Sequence, residues 1–442
     1  MEKDRLLEIL IAWNFWDKEI LKELYPRDTL SYIEGWLNKS KVKILTGVRR
    51  SGKSSVLYLL IKKLVGKGMS PKAILFMNLE EPALLEIAEE NRLDALYETY
   101  REQIYPEGKA YLLFDEIQMV KGWERWVSAR RERENIDIIV TGSSSHLFSQ
   151  ELGTLMTGRY IPFEIFPLSF KEFLRFKGLI IDSSDISIIG NRRRIKHLLR
   201  EYIEFGGFPE VVLEKDIIKK REILKRYFMD ILFRDVVERY KIRTIDTLKA
   251  IAYNYLTNSG NLFTFNRVKN IFNVSIDVVR NYTEFLRNSY LIFEVPQFRW
   301  KLGEMMNSPR KIYTIDTGLR NTVSFRFSED TGKCVENIVF LELLRQKGEI
   351  FYWHNKKEVD FVVKNGEETS IINVAWGKVH KREVEGIWEA AKELGVKKGF
   401  IITEDKRGKE KIKGTFIEYI PLHEWLLQQD NGSRQGKVGS VI

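Results

Sequence analysis

The sequence of 442 residues contains a single cysteine, Cys334, and only five histidines. One cysteine excludes a disulfide within the chain and a zinc site built from several cysteines, and the histidines show no metal-ligand spacing. No apolar run reaches the ~20 residues that a membrane-spanning helix needs, and the mixed-charge start MEKDR is unlike a secretory signal. These absences predict a cytoplasmic protein with no membrane segment.

Basic side chains outnumber acidic ones, with 72 Lys and Arg against 62 Asp and Glu, which gives a formal net charge of +10. This excess favours a polyanionic partner such as DNA, because basic groups release counterions from phosphates, although a solubilising surface would also produce it. The length is sufficient for about two to four domains. With 44% hydrophobic residues, these domains can have sizeable cores.

A glycine-containing stretch, GVRRSGKSS at residues 47–55, follows the apolar KVKILT and precedes the helical pattern VLYLLIKKL. It matches G-x-x-x-x-G-K-[ST] with Gly47, Gly52, Lys53 and Ser54. In this motif backbone N–H groups surround a phosphate, the lysine reaches the β and γ oxygens, and the serine hydroxyl binds Mg²⁺. We therefore predict a site for ATP and Mg²⁺. Further residues expected at the nucleotide are Arg50, Ser51 and Ser55.

Two acidic residues end the apolar part of AYLLFDEIQMV at residues 110–120. Asp115 is placed to hold the Mg²⁺ shell and Glu116 to polarise the attacking water, whereas a strand with a solvated acidic turn is the alternative. Another apolar run, IDIIVTGSSS, ends in small polar residues that could bind the γ-phosphate or the water. These residues are Thr141, Gly142, Ser143 and Ser144, with Ser143 as the candidate for catalysis.

Apolar runs separated by helical or polar stretches predict four strands. They span residues 42–46, 74–78, 111–115 and 137–141. The alternation predicts an α/β fold, with a parallel sheet covered by helices on both faces. Ligands of such sheets bind at the carboxyl ends of the strands, where all three motifs fall. Trp13, Trp16 and Trp36, in the helical stretches before the first strand, are expected to pack on this domain.

Arg159 lies beyond the strand that carries the serine cluster. In oligomeric nucleotidases an arginine in such a place can reach the γ-phosphate bound by the neighbouring subunit. A surface arginine held in a salt bridge is the alternative, and both interpretations stay open.

The middle of the chain is predicted to be helical after a loop-rich stretch at residues 175–194. Helices up to residue 243 would cover the nucleotide as a lid. Residues 244–310 then have the spacing of a winged helix, in which basic side chains interleaved with aromatics suit phosphate contacts. A protein-contact role, with Tyr282 in the core, is the alternative. The basic candidates are Arg280 and Arg287 on the recognition helix and Arg299, Lys301, Arg310 and Lys311 beside the wing.

Together these motifs resemble those of prokaryotic, largely archaeal AAA-type ATPases that join a nucleotide domain to a winged helix and a C-terminal restriction-nuclease-like domain. The resemblance spans nearly the whole chain. It is carried by GVRRSGKSS, LLFDEIQ, TGSSSHL, TGRYIPFEIFPLSFKEFL, GGFPEVV, IDTGLRN, and VENIVFLEL followed by EVDFVV. It implies a ring, commonly a hexamer, with Arg159 as a candidate finger. The residues to which it assigns ATP chemistry are Lys53, Ser54, Asp115, Glu116 and Ser143.

For the C-terminal domain the resemblance implies a nuclease pattern: an acid on the first helix, an Asp on a strand and Glu-x-Lys on the next. Glu336 and Asp360 stand in the first two places, whereas Asn373 and Ala375 stand where the last acid and the lysine belong. Without these two groups the site should bind a metal poorly. We therefore predict an inactive nuclease whose fold could persist as a DNA-binding or assembly surface.

The predicted architecture has five parts. They are an AAA-type ATPase domain with N-terminal helices (1–180), a helical lid (181–243), a winged helix (244–310), an α/β nuclease-like domain (311–427) and a disordered tail (428–442). The first functional hypothesis is an ATPase ring that uses Mg-ATP turnover to act on DNA, for example branched or junction DNA. The alternative is an ATP-dependent switch or assembly module that docks a protein partner with little sustained turnover.

Overall fold

The computed structural model describes residues 3–18, 23–88, 91–143, 158–181, 185–324 and 330–428. The chain divides into two compact units, Met1–Ile165 and Phe166–Ile442. The division therefore falls earlier than the boundary predicted at residue 180. The predicted tail lies outside the described residues, except for Gln428, which ends a helix. Within the described ranges, no helix combines the length and apolar character needed to cross a membrane.

A five-stranded parallel sheet forms the centre of the first unit. Its strands are β1 (Val42–Thr46), β2 (Ile74–Asn78), β3 (Ala110–Asp115), β4 (Ile136–Gly142) and β5 (Tyr160–Glu164). Their order is β2-β3-β4-β1-β5, and all four pairings are parallel. The four predicted strands are present, with no end displaced by more than one residue. The sequence did not predict β5, because Pro162 interrupts it and it is only partly buried, as edge positions tolerate.

Helices cover both faces of this sheet. They are α1 (Lys3–Trp13), α2 (Thr29–Glu34), α3 (Lys53–Gly66), α4 (Arg92–Gln103) and α5 (Trp123–Arg133), with 3₁₀ turns at Pro71–Ala73, Pro82–Glu86 and Ile117–Met119. Alternate strand residues enter two separate cores. Ile44 faces the core formed with α1, α4 and α5, whereas Leu45 faces the core formed with α2 and α3. Because the sheet is buried on both faces, its strands are almost continuously apolar.

The segment after α1 pairs with the edge strand β2 through side chains. Asn14 is buried; its Nδ2 donates to the carbonyl of Phe76 (2.9 Å) and its Oδ1 accepts from the N–H of Phe76 (2.7 Å). The indole of Trp16 donates to the carbonyl of Ile74 (2.8 Å). Trp16 is therefore part of the packing of this domain, as expected, and Asn14 satisfies backbone groups that an edge strand would otherwise leave unpaired.

The second unit begins with helices. They are α6 (Phe170–Phe176), α7 (Asp185–Gly190), α8 (Arg192–Phe205), α9 (Pro209–Leu213) and α10 (Ile217–Asp230), with a π-helix at Ile231–Glu238 continuing α10. The stretch at 175–194 is thus more helical than predicted. The sequence did not predict α7, because this helix is only six residues long and a single residue, Asn191, separates it from α8.

Four helices and a small antiparallel sheet follow. They are α11 (Ile245–Thr257), β6 (Leu262–Phe263), α12 (Phe265–Phe272), α13 (Ile276–Asn288), β7 (Ile292–Pro296), α14 (Leu302–Asn307) and β8 (Arg310–Thr314). The sheet order is β6-β8-β7. The boundary predicted between residues 310 and 311 falls inside β8, which pairs with both neighbours. Lys311 therefore belongs to this small sheet.

A six-stranded sheet completes the second unit. The elements are α15 (Thr317–Val323), α16 (Thr331–Arg345), β9 (Glu349–His354), β10 (Glu358–Asn365), β11 (Glu368–Ala375), α17 (Lys381–Leu394), β12 (Lys398–Thr403), β13 (Gly408–Ile412), β14 (Thr415–Pro421) and α18 (Leu422–Gln428). The order is β13-β14-β12-β11-β10-β9. Strands β11, β12 and β14 are parallel, and the remaining pairs are antiparallel.

Two of the glycine motifs in the sequence meet within this unit. The carboxylate of Asp316 accepts a hydrogen bond from the N–H of Gly207 (2.7 Å). A Cβ added to Gly206 would lie 2.1 Å from that carboxylate, and one added to Gly318 would lie 2.0 Å from the carbonyl oxygen of Phe205. The glycines in GGFPEVV and IDTGLRN are therefore required by the close packing of α8 against α15.

We predict that Asn14→Ala lowers the free energy of unfolding of the first unit by about 2 to 4 kcal/mol, since it leaves two buried backbone groups of β2 without partners. Chemical unfolding followed by tryptophan fluorescence measures the change, because Trp16 lies beside the substitution. Asn270→Ala, at an exposed position, is the control and should have little effect. Equal stability of the Asn14 variant and the wild type would contradict this role.

Candidate functional site

The loop between β1 and α3 follows the carboxyl end of β1, and its glycines are required by its geometry. Gly47 has φ 142°, and a Cβ there would lie 2.2 Å from the carbonyl oxygen of Ile165. Gly52, with φ 100°, precedes the first residue of α3 in the left-handed region. Arg50 adopts φ 69° without being glycine. Such a loop turns its N–H groups and the amino end of α3 towards one place, which suits a phosphate.

The ammonium group of Lys53 folds back over this loop. Its Nζ donates to the carbonyls of Gly47 (3.0 Å) and Val48 (3.2 Å). The side chain is buried, as is Ser51, whereas Ser55 on α3 is exposed. The lysine charge is therefore held at the loop, where the motif requires it.

The carboxylate of Asp115, at the end of β3, is the point at which three elements meet. Ser54 from α3 and Thr141 from β4 both hydrogen-bond to it. Burial raises the pKa of Asp115, the charge of Glu116 raises it further, and the two hydrogen bonds and the Lys53 charge oppose the rise. Hydroxyl and carboxylate oxygens are the ligands that Mg²⁺ prefers, so Ser54 and Asp115 fit this ion.

Glu116 follows Asp115 in a left-handed conformation with φ 55°. Its N–H donates to the hydroxyl of Thr141 (3.1 Å), and its carboxylate accepts a hydrogen bond from the side chain of Gln118. A non-glycine residue held at positive φ directs its side chain away from the strand axis and is a common feature of functional sites. Thr141 thus contacts both acidic residues, and its contact with the γ-phosphate or the water stays a prediction.

Two residues that contact this site, Arg27 and Gln118, were not predicted from the sequence. The guanidinium of Arg27 is buried and donates to the carbonyl of Ser51 (2.8 Å). Gln118 contacts Glu116. Gln118 lies in AYLLFDEIQMV, two residues after Glu116, so its place beside the acidic residues could have been predicted. Arg27 lies in a polar stretch with no motif, and its role depends on tertiary packing.

The remaining predicted residues of this domain fall in different places. Ser143 is buried just beyond β4, beside the other strand ends, whereas Ser144 lies outside the described residues. Arg159 precedes β5 at the amino-terminal edge of the sheet, whereas the phosphate loop follows the carboxyl end of β1. The length of one strand, about 13 Å, therefore separates Arg159 from the loop. Its guanidinium contacts Glu132 (2.7 Å) and Ser128 (3.0 Å) of the same chain. The structure therefore does not bring Arg159 to the loop of its own subunit.

The basic side chains predicted to bind DNA are dispersed over the α11–β8 module. Arg280 is exposed on α13, whereas Arg287 lies 3.7 Å from Glu294. Arg299 and Lys301 are exposed in the segment between β7 and β8, on either side of Trp300, which is 69% exposed. Tyr282 is buried, so it belongs to the core as the alternative interpretation proposed.

Lys311 and Arg310 are not free for DNA contact. Arg310 pairs with Glu294, and the Lys311 side chain is only 1% exposed and forms ion pairs with Glu336 and Asp360. This corrects the expectation that Lys311 flanks the wing as a surface charge. Its strand turns the side chain inwards, because residues of a β-strand alternate between the two faces.

Three of the four positions that the resemblance compares with a nuclease, Glu336, Asp360 and Asn373, are linked by contacts. Asn373 Oδ1 accepts from the N–H of Asp360 (2.8 Å), and its Nδ2 donates to the carbonyl of Glu383 (2.9 Å). Ala375 is buried in an apolar core. Burial alone would raise the pKa of Glu336, but the charges of Lys311 and Lys333 outweigh it and lower that pKa to about 2. Glu336 is therefore held ionised by two lysines.

A family model described as an AAA domain matches residues 39–174, and models of two domains of unknown function, DUF8612 and DUF4143, match residues 196–330 and 331–425. The chain is 35% identical to the uncharacterized protein MJ1544 of Methanocaldococcus jannaschii, over 95% of this chain and 98% of that protein. It is 31% identical to an uncharacterized protein of Haemophilus influenzae, over 88% and 94% respectively.

Among solved structures, a Walker-type ATPase of Pyrococcus abyssi is similar at a TM-score of 0.46 and 15% identity. The match covers 69% of this chain and 99% of that one.

We predict that Thr141→Val reduces the free energy of unfolding by about 1 to 3 kcal/mol, because it preserves shape but removes the hydroxyl from the buried Asp115. Chemical denaturation at neutral pH measures the loss. Thr369→Val, at a partly exposed strand position, is the matched control and should change stability by less than about 0.5 kcal/mol. Equal effects of the two substitutions would show that the hydroxyl does not support Asp115.

Proposed function

Because the chain belongs to the family of AAA-domain proteins that includes MJ1544 of Methanocaldococcus jannaschii, we propose that it is a P-loop ATPase that hydrolyses Mg-ATP and uses the energy to act on DNA. The observation that carries the proposal is the convergence of Lys53, Ser54 and Asp115 at the carboxyl ends of β1 and β3, which both pair with β4. A phosphate-binding loop, a hydroxyl and a buried carboxylate at one place suit a nucleoside triphosphate with its metal.

The residues divide the work as follows. The loop N–H groups from Gly47 to Ser55 and the Lys53 ammonium would bind the phosphates. Ser54 and Asp115 would hold Mg²⁺, which neutralises charge that develops on the phosphate oxygens. Glu116 would accept a proton from the attacking water, since its carboxylate is held beside Asp115 by its backbone conformation and by Gln118. Ser143 would contribute a hydroxyl beyond β4.

Two substitutions separate binding from hydrolysis. We predict that Lys53→Ala abolishes ATP binding, because it removes the ammonium charge that folds over the carbonyls of Gly47 and Val48. Glu116→Gln should bind ATP with near wild-type affinity and lose turnover by about 100-fold or more, because the proton acceptor is gone. Binding is measured by calorimetry and turnover by phosphate release.

The matched controls are Lys62→Ala, on the exposed face of the same helix, and Glu107→Gln, in an exposed turn. Neither should change binding or turnover. Wild-type turnover in Glu116→Gln would refute the assignment of the proton acceptor, and no ATP binding by the wild type would refute the proposal as a whole.

The proposal of DNA as the partner rests on the second unit and on the net charge of +10. The order of three helices and an antiparallel β6-β8-β7 sheet supports a winged helix. Its segment between β7 and β8 exposes Arg299, Trp300 and Lys301 in succession. Cations on either side of an aromatic ring suit phosphate contact and base stacking.

The base of this segment is held in place. The N–H of Phe298 donates to the carbonyl of Tyr352 (2.7 Å) and the side chain of Gln297 to the carbonyl of His354 (2.8 Å). The Phe298 ring packs edge-on against Trp300, at 5.2 Å between ring centroids. Contacts made by its exposed residues would therefore cost less conformational entropy than contacts from a free loop.

We predict that the double variant Arg299→Ala/Lys301→Ala binds DNA more weakly. The slope of the logarithm of its binding constant against the logarithm of salt concentration should be shallower by about 2, since two phosphate contacts are lost. Affinity for duplex, single-stranded and junction DNA is measured over a range of stated salt concentrations. Lys62→Ala/Lys72→Ala removes the same charge from exposed positions of the first unit and is the control. An equal change in the DNA affinity of both double variants would mean that DNA binding depends on net charge alone and not on the segment between β7 and β8.

One further assay distinguishes this function from an ATP-dependent switch. A several-fold rise in ATPase rate with DNA supports turnover that acts on DNA. A rate indifferent to DNA, with ATP changing only the oligomeric state, supports the switch. We also propose assembly as a ring, commonly a hexamer in proteins that this chain resembles, in which Arg159 could leave Glu132 and reach the neighbouring site.

A further inference from the structure

We propose that Lys311 is a structural cation of the C-terminal domain, whose ammonium group holds Glu336, Glu358 and Asp360 together. In this place the ammonium group occupies a site at which these carboxylates would otherwise bind a divalent metal ion. The proposal is independent of ATP hydrolysis, because every residue involved lies in the second unit.

The geometry around the Lys311 ammonium is complete. Its Nζ lies 2.9 Å from Glu336 Oε1, 2.7 Å from Glu358 Oε1 and 3.0 Å from Asp360 Oδ1. The ammonium group donates hydrogen bonds to Glu336 and Asp360, and it pairs with the Glu358 carboxylate by charge. The side chain is 1% exposed, so the charge is removed from water and depends on these three partners.

The carboxylates have partners of their own that fix their orientation. Glu336 accepts from the hydroxyl of Tyr313 (2.6 Å) and from Lys333 Nζ (2.8 Å). Asp360 Oδ2 accepts from the N–H of Val374 (3.0 Å). A metal ion at this place would need the oxygen atoms that Lys311 already uses. Lys311 thus competes with any metal for the same ligands.

The balance of charge explains why one substitution should open the site. Three carboxylates face the two ammonium groups of Lys311 and Lys333, which leaves one negative charge. Removal of Lys311 alone would leave two negative charges among oxygen ligands, the condition that favours a divalent cation. Asn373 suits a site that Lys311 occupies in place of a metal, since its amide donates to the carbonyl of Glu383 (2.9 Å), which a carboxylate could not do.

The cluster also connects separate parts of the fold. Lys311 is on β8 of the small sheet, Glu336 is on α16, and Glu358 and Asp360 are on β10 of the large sheet. The ammonium therefore joins the α11–β8 module to the C-terminal sheet through one buried point. Loss of one partner of a buried ion pair is strongly destabilising, because it leaves the other charges uncompensated.

The test uses the full chain without nucleotide and compares thermal unfolding with and without millimolar Mn²⁺. We expect Mn²⁺ to leave the wild-type melting temperature unchanged. Lys311→Met should melt several degrees lower, and Mn²⁺ should raise its melting temperature, because a ligand that binds only the folded state stabilises it. Lys311→Met/Asp360→Asn should not respond to Mn²⁺. Lys398→Met, which breaks an ion pair at the surface with Glu418 (2.9 Å), is the control and should not respond either.

A second measurement reports the place of binding. Tb³⁺ bound at the opened site should give luminescence sensitised by Tyr313, whose hydroxyl lies 2.6 Å from Glu336. This emission should be strong in Lys311→Met and absent in the wild type. Emission from the wild type that disappears in Asp360→Asn would overturn the proposal, since the site would then be open to metal despite Lys311.

Two further outcomes are decisive. Should Lys311→Met match the wild type in stability and ignore Mn²⁺, the lysine does not hold the cluster and the proposal fails. Should it not fold, Lys311→Met/Glu336→Gln restores the wild-type balance of one negative charge and should recover folding. Failure of both variants to fold would overturn the explanation by charge and favour simple packing of the lysine stem.

Discussion

The hydrogen bonds that reach the carboxylate of Asp115 are the constraint on which the nucleotide site depends. Ser54 follows β1, Asp115 ends β3, and Thr141 lies near the end of β4, so the three side chains meet only if these strands keep their parallel register. Burial of the carboxylate raises its pKa. The hydroxyl donors oppose this rise and so support the charged form, which a metal requires. Sheet pairing thereby determines the electrostatics of the site.

The parts of this arrangement that follow from local pattern could be predicted from the sequence. A strand buried on both faces reads as an apolar run, and the phosphate loop is one continuous motif, so β1 to β4 and Lys53 were located within a residue. Strand β5 was missed because its stability comes from pairing with β1, while Pro162 weakens its own pattern. Thr141 was predicted at the site, but its contacts with Asp115 and Glu116 were not, because they depend on the pairing of β4 with β3.

Residues whose role depends on distant packing could not be predicted. Arg27 reads as one charge in a polar stretch, yet it is buried against the carbonyl of Ser51. Lys311 follows Arg310 in the sequence, and the pair resembles a basic surface. Alternation along β8 instead directs Arg310 to Glu294 and Lys311 to the carboxylates of a different sheet. Charge patterns therefore identify DNA-binding candidates only after the direction of each side chain is known.

The position of Lys311 also bears on how the exposed residues of the β7–β8 segment act. That segment leads directly into β8, and its base is bonded to β9 through Phe298 and Tyr352. A force applied at Trp300 would therefore reach the C-terminal sheet by two routes, the backbone bonds at β9 and the ion pairs at Lys311. A buried ammonium that pairs with three carboxylates resists displacement, because each lost contact leaves a charge without water or partner. Such a junction favours movement of the α11–β8 module and the C-terminal sheet as one body.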